Sequence, residues 1–444
     1  MNDISTQPVG SLPPGRLGLP IVGESISYLR DPARFMQQRQ QQYGSIFKTH
    51  LFGRPTIALI GAEAARFLFA NDGQRLEMTN TSTFEALLGV HSIGVKTGSA
   101  HQVLRKQLFQ AFQPRALAEY ALTMETMTHC YLQKWEQMKE LTWYPELKQY
   151  TLDIAYKLLV GVDTTADENL GTLYETWSDG LLSLPIRFPG SKFAHAMRSR
   201  EQLLQRIDTL IDQRHNPSTQ QDALGILLQA QDEAGNYLSR ADVKDNILAL
   251  LIAGHETLTS ALTSLCLFLA QHPDVLQTAR TEQAQLGLTG KLTQESLKQL
   301  SYLEQVLKEV LRLAPPVVRS GQRKVLKACE VAGYVIPKGW DVFYQIQETQ
   351  QDPNIYTHPE QFDPQRFAPD RAEDKKVFSH IPFGGGIREC LGKEFARLEM
   401  KLFATLLIRD YDWELLPGQN LERVVLPFSR PRDGLKVKFW RRQQ

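Results

Sequence analysis

The 444-residue sequence predicts a mainly α fold with a small β-rich lobe, an α+β protein built around one long central helix. Three observations carry that expectation. Apolar residues recur at helical spacing through most of residues 99–211 and again up to Leu313. Ser239, with Asp242 three residues on, makes an acidic capping box, and an apolar helix then runs to Pro273, roughly 50 Å at 1.5 Å per residue. Alternating patterns are confined to about 45–60, 315–345 and 411–440. Neither an internal repeat nor a low-complexity linker interrupts the chain, so 1–444 reads as a single domain.

The chain opens on L-P-P-G-R-L-G-L-P-I-V-G, too rich in proline and glycine for a regular element. Asp31 and Pro32 supply the N-cap and N1 residues of a polar helix that ends at Tyr43 and Gly44. Residues 45–51 and 55–60 read as strands joined by F-G-R-P, a small hairpin sheet, with a helix from Ala62. No period is sustained over 73–98, where a long loop with one short helix is expected; loops of that length are often functional. Helix boundaries then fall near Pro114, Pro145, Asp163 and Leu184-Pro185, before R-F-P-G-S-K-F, a turn able to tip an aromatic flap. Past the long helix, helices continue to Leu313, residues 315–343 turn β-like, and 352–376 form a polar, proline-punctuated meander. A last helix precedes the final strands.

Composition narrows the function classes. A hydrophobic content of 42% and a formal charge of +1 suit a soluble globular protein and give no reason to expect nucleic acid as a partner. Cys130, Cys266, Cys329 and Cys390 stand far apart with no C-x-x-C spacing, against a zinc site or a disulfide framework and in favour of a reducing cytoplasm. The N-terminal stretch has neither a signal-type apolar core nor an anchor helix, so a soluble protein is expected. Residues 247–270 approach transmembrane length, but His255 and Glu256 at their centre are expensive in lipid, and a buried core helix is expected instead.

Three patterns carry chemistry. F-G-G-G-I-R-E-C-L-G, residues 383–392, sets one cysteine after three glycines, Gly384 to Gly386, that let the backbone turn sharply or approach something flat. The apolar run beyond Cys390 is helical in period, placing the sulfur at a helix mouth where a thiolate ligand or nucleophile is favoured, although a lone cysteine is more often an inert small hydrophobe. A-G-H-E-T, Ala253 to Thr257, interrupts the long apolar helix; in isolation, its threonine would only bond back to its own helix. K-E-V-L-R-L puts Glu309 and Arg312 one turn apart, by default a solvated pair of about a few tenths of a kcal/mol.

Together these patterns resemble the cytochrome P-450 family of haem-thiolate monooxygenases. All five fixed positions of its F-x-x-G-x-R-x-C-x-G signature are present, as Phe383, Gly386, Arg388, Cys390 and Gly392; A-G-x-[DE]-T and E-x-x-R follow suit. The resemblance implies a P-450 fold with the long helix over haem b (iron protoporphyrin IX), Cys390 as the axial iron ligand, and Phe383 and Gly384 beside it. Arg388 would pair with a haem propionate, joined by position by Arg323 and His380. Where the family often has W-x-x-x-R the chain reads H-Q-V-L-R, giving His101 and Arg105, with the tryptophan replaced. On the distal side, with Ala253 beside the cofactor, Gly254 would help open the helix for dioxygen, Thr257 would hydrogen-bond it, and Glu256 would feed protons through water, these last two being the catalytic pair. His255 is read as structural. Arg366 in F-D-P-Q-R-F completes a Glu309–Arg312–Arg366 triad that holds the cysteine loop, but the family's glutamate before that arginine is Gln365 here, one supporting charge fewer.

L-P-P-G, Y-G-S-I-F-K-T-H-L-F-G-R-P-T and G-H-E-T further resemble the retinoic acid hydroxylase branch of the family, its soluble bacterial member included. That implies a cytoplasmic, monomeric enzyme inserting one atom of O2 into a C–H bond of a retinoid or related polyene acid. Two electrons would come from a ferredoxin-type donor, for which Lys106, Arg115, Lys393 and Arg397 are candidate contacts, although scattered basic residues are more often just solvated. The substrate pocket would draw on Phe84, Leu87, Leu88, Trp177, Leu181, Leu182, Phe188, Ala253 and Val318, residues that core packing alone also explains. A fatty-acid or terpenoid hydroxylase, a peroxide-driven or isomerising haem-thiolate enzyme, and a non-catalytic haem or retinoid carrier stay open as alternatives. The Glu256–Thr257 pair speaks against the peroxide-driven and isomerising ones.

Overall fold

The computed structural model describes residues 10–163, 169–214, 221–288, 290 and 292–443. The first nine residues, part of the stretch expected to lack an anchor, and 164–168, within the expected helical run, lie outside the described residues. Helices α1 (Ser25–Arg30) and α2 (Pro32–Tyr43) lead into β1 (Ile46–Leu51), β2 (Arg54–Leu59), α3 (Ala62–Asn71), β3 (Leu76–Met78) and α4 (Ser82–Leu88). There follow α5 (Gly98–Phe109), α6 (Pro114–Met138), β4 (Glu140–Thr142), α7 (Trp143–Leu159), α8 (Leu170–Gly180), α9 (Lys192–Asp212) and α10 (Ala223–Gln229). The long α11 (Arg240–Gln271) is succeeded by α12 (Pro273–Gln285), α13 (Gln294–Gln299) and α14 (Ser301–Leu313). Strands β5 (Arg323–Val325), β6 (Cys329–Val331), β7 (Tyr334–Ile336) and β8 (Asp341–Tyr344) and the single turn α15 (Ile346–Thr349) precede the meander. Finally α16 (Lys393–Asp410) gives way to β9 (Tyr411–Leu415), β10 (Arg423–Val424), β11 (Arg430–Pro431) and β12 (Lys436–Arg441). The contacts divide these elements between two compact units, Met1–Asn80 with Leu311–Cys390, and Thr81–Val310 with Leu391–Gln444.

The first unit is the β-rich one. Its five-stranded sheet runs β1-β2-β8-β5-β3, with the β1–β2 hairpin in the register Ile46↔Leu59 and β8 parallel to β2 at Thr56↔Asp341. Ile57, Leu59, Leu68, Val325 and Val342 form its core. Strand β3 lies in the stretch expected to be a loop, because three residues are too few to display an alternation. At the start of α2 the Asp31 side chain accepts from the Arg34 amide at 3.0 Å and Pro32 holds the first helical position, as expected.

The second unit is organised on α11. The Ser239 hydroxyl accepts from the Asp242 amide and the Asp242 carboxylate from the Ser239 amide, both at 3.1 Å, which is the capping box expected. Among the described residues this is the one helix long and apolar enough to cross a membrane, and its most apolar stretch is 78% buried within the protein, as a core helix is. Edge-to-face contacts among Trp135, Trp143, Phe403 and Phe439, at 5.0 to 6.5 Å between centroids, tie α6, α7, α16 and β12 together.

In the meander of the first unit two guanidinium groups are fully buried. Arg312 donates to the carbonyls of Gln350, Pro359 and Gln361 at 3.0, 2.8 and 3.1 Å. Arg366 donates to the carbonyls of Thr357 and Gln361 and to the Glu373 carboxylate at 2.7 Å, and both guanidiniums lie against the Tyr356 ring. The supporting charge that Gln365 lacks is therefore supplied by Glu373, which the short helical turn at Glu373–Lys375 brings back to the arginine. Burial alone would raise the Glu373 carboxyl, but bonds from Arg371, the Thr357 amide and Arg366 outweigh it and hold it below the usual carboxylate range. Replacing Glu373 by Gln should leave Arg366 buried without its counter-charge and cost about 3 kcal/mol in urea unfolding. Because the folded value lies below the unfolded one of about 4.3, this contribution is complete above that pH and fades as the pH falls through the folded value. The acid limb of the stability profile should accordingly be shallower in Glu373→Gln.

Candidate functional site

The cysteine loop belongs to the first unit, and its glycines are required. Gly384 and Gly386 have φ of +70° and +66°, and a Cβ on Gly385 would stand 2.8 Å from the Phe69 ring. The Cys390 amide donates to the Phe383 carbonyl at 2.9 Å, closing the loop and leaving an exposed thiol. Helix α16 starts only at Lys393, after the turn Gly386–Arg388 and an extended Glu389, so Cys390 precedes the helix rather than sitting at its mouth as expected. The support comes from Gln350. Its Nε2 donates to the carbonyls of Leu311 and Arg312 at 3.0 and 3.1 Å, and its Oε1 accepts from the Ile381 amide at 2.8 Å. The Ile381 carbonyl in turn accepts from Gly384 at 3.0 Å, so the buried Arg312 is linked through one glutamine to the loop.

Of the other residues expected around a cofactor in this unit, Phe383 and Arg388 are half-buried, Val318 is buried, and His380 lies edge-on to Phe367 at 5.2 Å. Arg323, expected at a propionate, gives Nη2 and Nε to Asp72 at 3.0 and 3.2 Å and Nη1 to the Gly321 carbonyl at 2.6 Å. This buried pair joins α3 to the sheet, and nothing local in sequence announces Asp72 as the partner.

In the second unit, His101 on α5 is buried and Arg105 half-buried. Helix α11 has two chemically different sides at A-G-H-E-T. Ala253 is exposed, a Cβ on Gly254 would meet nothing within 4 Å, and the Thr257 hydroxyl donates back to the Ala253 carbonyl at 2.6 Å. His255 and Glu256 face inward. The Thr151 hydroxyl lies 3.0 Å from the Leu147 carbonyl, 2.7 Å from the Thr259 hydroxyl and 2.8 Å from His255 Nδ1, a buried polar cluster that fixes the ring. His255 Nε2 lies 3.6 Å from Glu256 Oε1, and Lys148 Nζ is also 3.6 Å from that oxygen. Burial holds the His255 imidazolium far below its ordinary range, aided by Lys148, so the ring is neutral. Burial also raises the Glu256 carboxyl; Lys148 opposes this, but at 3.6 Å it does not form the close pair that would cancel the effect.

The stretch 81–97 is held largely through its backbone. The Leu87 carbonyl accepts from the Trp177 indole at 2.9 Å and from Arg200 Nε at 3.0 Å, and Arg200 is paired with Asp245. Asp245 accepts from the His91 amide at 3.2 Å, and Asn246 accepts from Ile93 at 2.8 Å and donates to the His91 carbonyl at 3.0 Å. Of the expected pocket residues, Phe84 is half-buried, Leu87, Leu88 and Trp177 are buried, Leu181 is half-buried, and Leu182 and Phe188 are 71% and 73% exposed. Two basic residues considered for a redox partner already hold carboxylates, Lys106 with Glu233 at 2.6 Å and Arg397 with Glu304 at 2.6 Å.

Among the described residues no three His, Cys, Asp or Glu side chains are grouped to bind a metal ion. A lone exposed thiol in a glycine loop does not hold a bare ion, which needs three or four protein ligands. A single thiolate could ligate a metal whose other ligands come with a bound group; in the second unit, the open side of α11 is built of small residues and one hydroxyl.

The family model for cytochrome P450 matches residues 13–439. A Synechocystis protein described as cytochrome P450 120 is 48% identical over 430 residues, covering 96% of each chain. Cytochrome P450 26A1 of Xenopus laevis is 36% identical over 444 residues, 96% of this chain and 90% of that one. The solved structure of retinoic acid bound cyanobacterial CYP120A1 superposes with a TM-score of 0.93 at 48% identity, covering 98% of this chain and all of that one.

Gly89 tests the backbone clasp. Its φ is +91°, and a Cβ there would stand 2.1 Å from Asp245 Oδ2. Gly89→Ala should cost about 2 kcal/mol and raise amide hydrogen exchange over residues 87–93, read by mass spectrometry, by about tenfold or more.

Proposed function

The chain belongs to the cytochrome P450 family, and from that premise we propose that Cys390 is its iron ligand and a retinoid acid its substrate. It is a monooxygenase whose cofactor is haem b. When bound, the haem supplies the oxidising power, using O2 and two external electrons to put one oxygen atom into a C–H bond.

The chain's own residues do the rest. Cys390 presents its sulfur as thiolate from a loop whose shape the glycines and Gln350 fix. Arg388, Arg105, His380 and His101 are the groups we assign to the propionates, where cations offset the cost of burying carboxylates, while Arg323 already has its counter-charge in Asp72. Phe383 and Gly384 are assigned to the sulfur, and Ala253 and Gly254, where a Cβ on Gly254 would meet nothing within 4 Å, to the cofactor. The Thr257 hydroxyl, turned from the Ala253 carbonyl, donates its proton toward dioxygen and accepts a replacement from water. Glu256, raised by burial, retains a proton at a higher pH than a solvated glutamate and supplies it to that water. Glu309, with Arg312 and Arg366, is assigned the structural support of the loop.

The observation that carries the retinoid reading is the 48% identity to a structure with retinoic acid bound. Phe84, Leu88, Val318 and Ala253 are the apolar residues we assign to a polyene. A soluble, cytoplasmic, monomeric enzyme fed by a ferredoxin-type donor completes the proposal, supported by its bacterial relative. Three measurements test it. Cys390→Ser should lose the red-shifted absorption band of the reduced carbon monoxide complex, and a retained band would remove Cys390 as ligand. Thr257→Ala should cut product formed per electron pair by about tenfold, with peroxide making up the balance; full coupling would sink the proton relay. Retinoic acid should give a tighter ligand-difference spectrum than fatty acids or terpenoids, and the reverse order would replace the substrate.

A further inference from the structure

Exposed apolar side chains are ordinary when scattered and need a reason when they are contiguous. In the first unit Leu17, Leu19, Ile21, Val22, Ile26 and Leu29 are all exposed. They belong to one tight turn and the helix that follows it. The turn is closed by the Gly23 amide, which donates to the Leu19 carbonyl at 2.8 Å. Ile26 and Leu29, three residues apart on α1, are neighbours on one side of that helix, while Tyr28 turns inward. The tip of the turn is strained. Ile21, 85% exposed, has a φ of +66°, and across it the Val22 amide donates to the Pro20 carbonyl at 2.7 Å. This is a form of γ-turn that side-chain-bearing residues avoid, β-branched ones most of all. Glycine or asparagine would sit there with less strain, and the isoleucine side chain gains no burial in exchange.

The base of the turn is fixed. The buried Glu24 carboxylate accepts from Arg39, from the Thr49 hydroxyl at 2.8 Å and from Arg16 at 3.1 Å, and the Glu24 amide donates to the His50 carbonyl at 2.8 Å. The Ser25 hydroxyl donates to the Val22 carbonyl at 2.6 Å and accepts from the amide of exposed Phe52 at 2.8 Å. Gly23, at a φ of +62°, lies so close to β1 that a Cβ would stand 2.1 Å from the His50 carbonyl oxygen. A rigid base thus holds an apolar tip out into water.

The rim of this face is cationic. Arg30 and Arg34 are exposed, and among the described residues neither guanidinium holds a carboxylate: Asp31, between them, accepts from the Arg34 amide as the cap of α2, and Glu24 is neutralised within the base. The composition favours one kind of partner. Protein interfaces centre on tryptophan and tyrosine set among matched polar groups, whereas the tyrosine of this segment is buried and the backbone groups of the turn bond to one another. A lipid surface asks for neither shape complementarity nor polar partners, and arginines beside shallow apolar side chains suit anionic headgroups.

We propose that the turn carrying Leu19, Ile21 and Val22, with Ile26 and Leu29, inserts into the headgroup boundary of an anionic lipid surface, where Arg30 and Arg34 meet the headgroups. The contact is reversible, as a single shallow insertion is, and it stands whatever the substrate. The test floats the full-length, haem-loaded protein with vesicles of phosphatidylcholine, with and without about a quarter phosphatidylglycerol. The wild type should float with the anionic vesicles at least about fivefold more than with the neutral ones, and added salt should release it. Ile21→Asn combined with Ile26→Ser should cut partitioning by about tenfold or more. Ile21→Asn alone keeps a residue that tolerates the left-handed turn, so partitioning should fall while the thermal midpoint does not. Arg30→Gln with Arg34→Gln should remove the preference for anionic lipid, and Val377→Ser, at an exposed apolar position elsewhere in the same unit, should change nothing. An intact carbon monoxide band confirms that each variant is folded. A wild type that stays with neither vesicle overturns the proposal, as does a double variant that floats like the wild type. A wild-type dimer that the double variant splits, seen by sedimentation, would also overturn it, because a second copy would then cover the face.

Discussion

A guanidinium sealed from water organises the support of the cysteine loop. Arg312 has no exposed surface, and it meets the cost of burial by collecting carbonyls from 350, 359 and 361. Doing so draws the meander around it, and Arg366, sharing the Gln361 carbonyl and the Tyr356 ring, brings its own carboxylate in Glu373. Gln350 then passes this order to Ile381 and, through Ile381, to Gly384. The sulfur of Cys390 is placed by a chain of satisfied polar groups rather than by apolar packing alone. Such a chain is directional, and it tolerates little slack because its links Arg312, Gln350 and Ile381 are buried.

The second unit holds its buried carboxyl by the opposite means, with incomplete compensation. Glu256 has Lys148 and His255 at the same oxygen, both slightly too far for strong bonds, and burial therefore retains the upper hand over its carboxyl. Glu175 shares Lys148 at 3.4 Å from the solvent side, and Tyr174 covers the His255 ring. The inward side of α11 thus sets the proton affinity of a group whose neighbour, Thr257, lies on the open side. One helix carries both functions because consecutive residues lie about 100° apart around it.

What could be read in the sequence was local or was motif. The Asp31–Pro32 start of α2, the Ser239–Asp242 box and the hairpin at Phe52-Gly53 are each written within four residues, and the structure has all of them. The signature around Cys390 is equally compact. What escaped reading lies in partners far apart along the chain: Asp72 for Arg323, Lys148 for Glu256, Asp245 for Arg200, Gln350 for Ile381. Each side chain alone looks like an ordinary surface polar residue, and only tertiary folding gives it a counterpart. Glu373 was hidden differently, since Gln365 occupied the position where a charge was sought and the charge came from a later turn. The mouth of α16 was set too early because the glycine turn and an extended Glu389 come between Cys390 and the first helical residue.

The segment carrying Phe84 and Leu88 is fastened by its carbonyls and amides, at Leu87, His91 and Ile93, to Trp177, Arg200, Asp245 and Asn246. None of those bonds uses the side chain at 84 or 88. The identity of these two residues is thereby uncoupled from the path of the backbone that bears them. A change at half-buried Phe84 therefore leaves every one of these backbone bonds and Gly89 in place, whereas buried Leu88 carries its own packing cost.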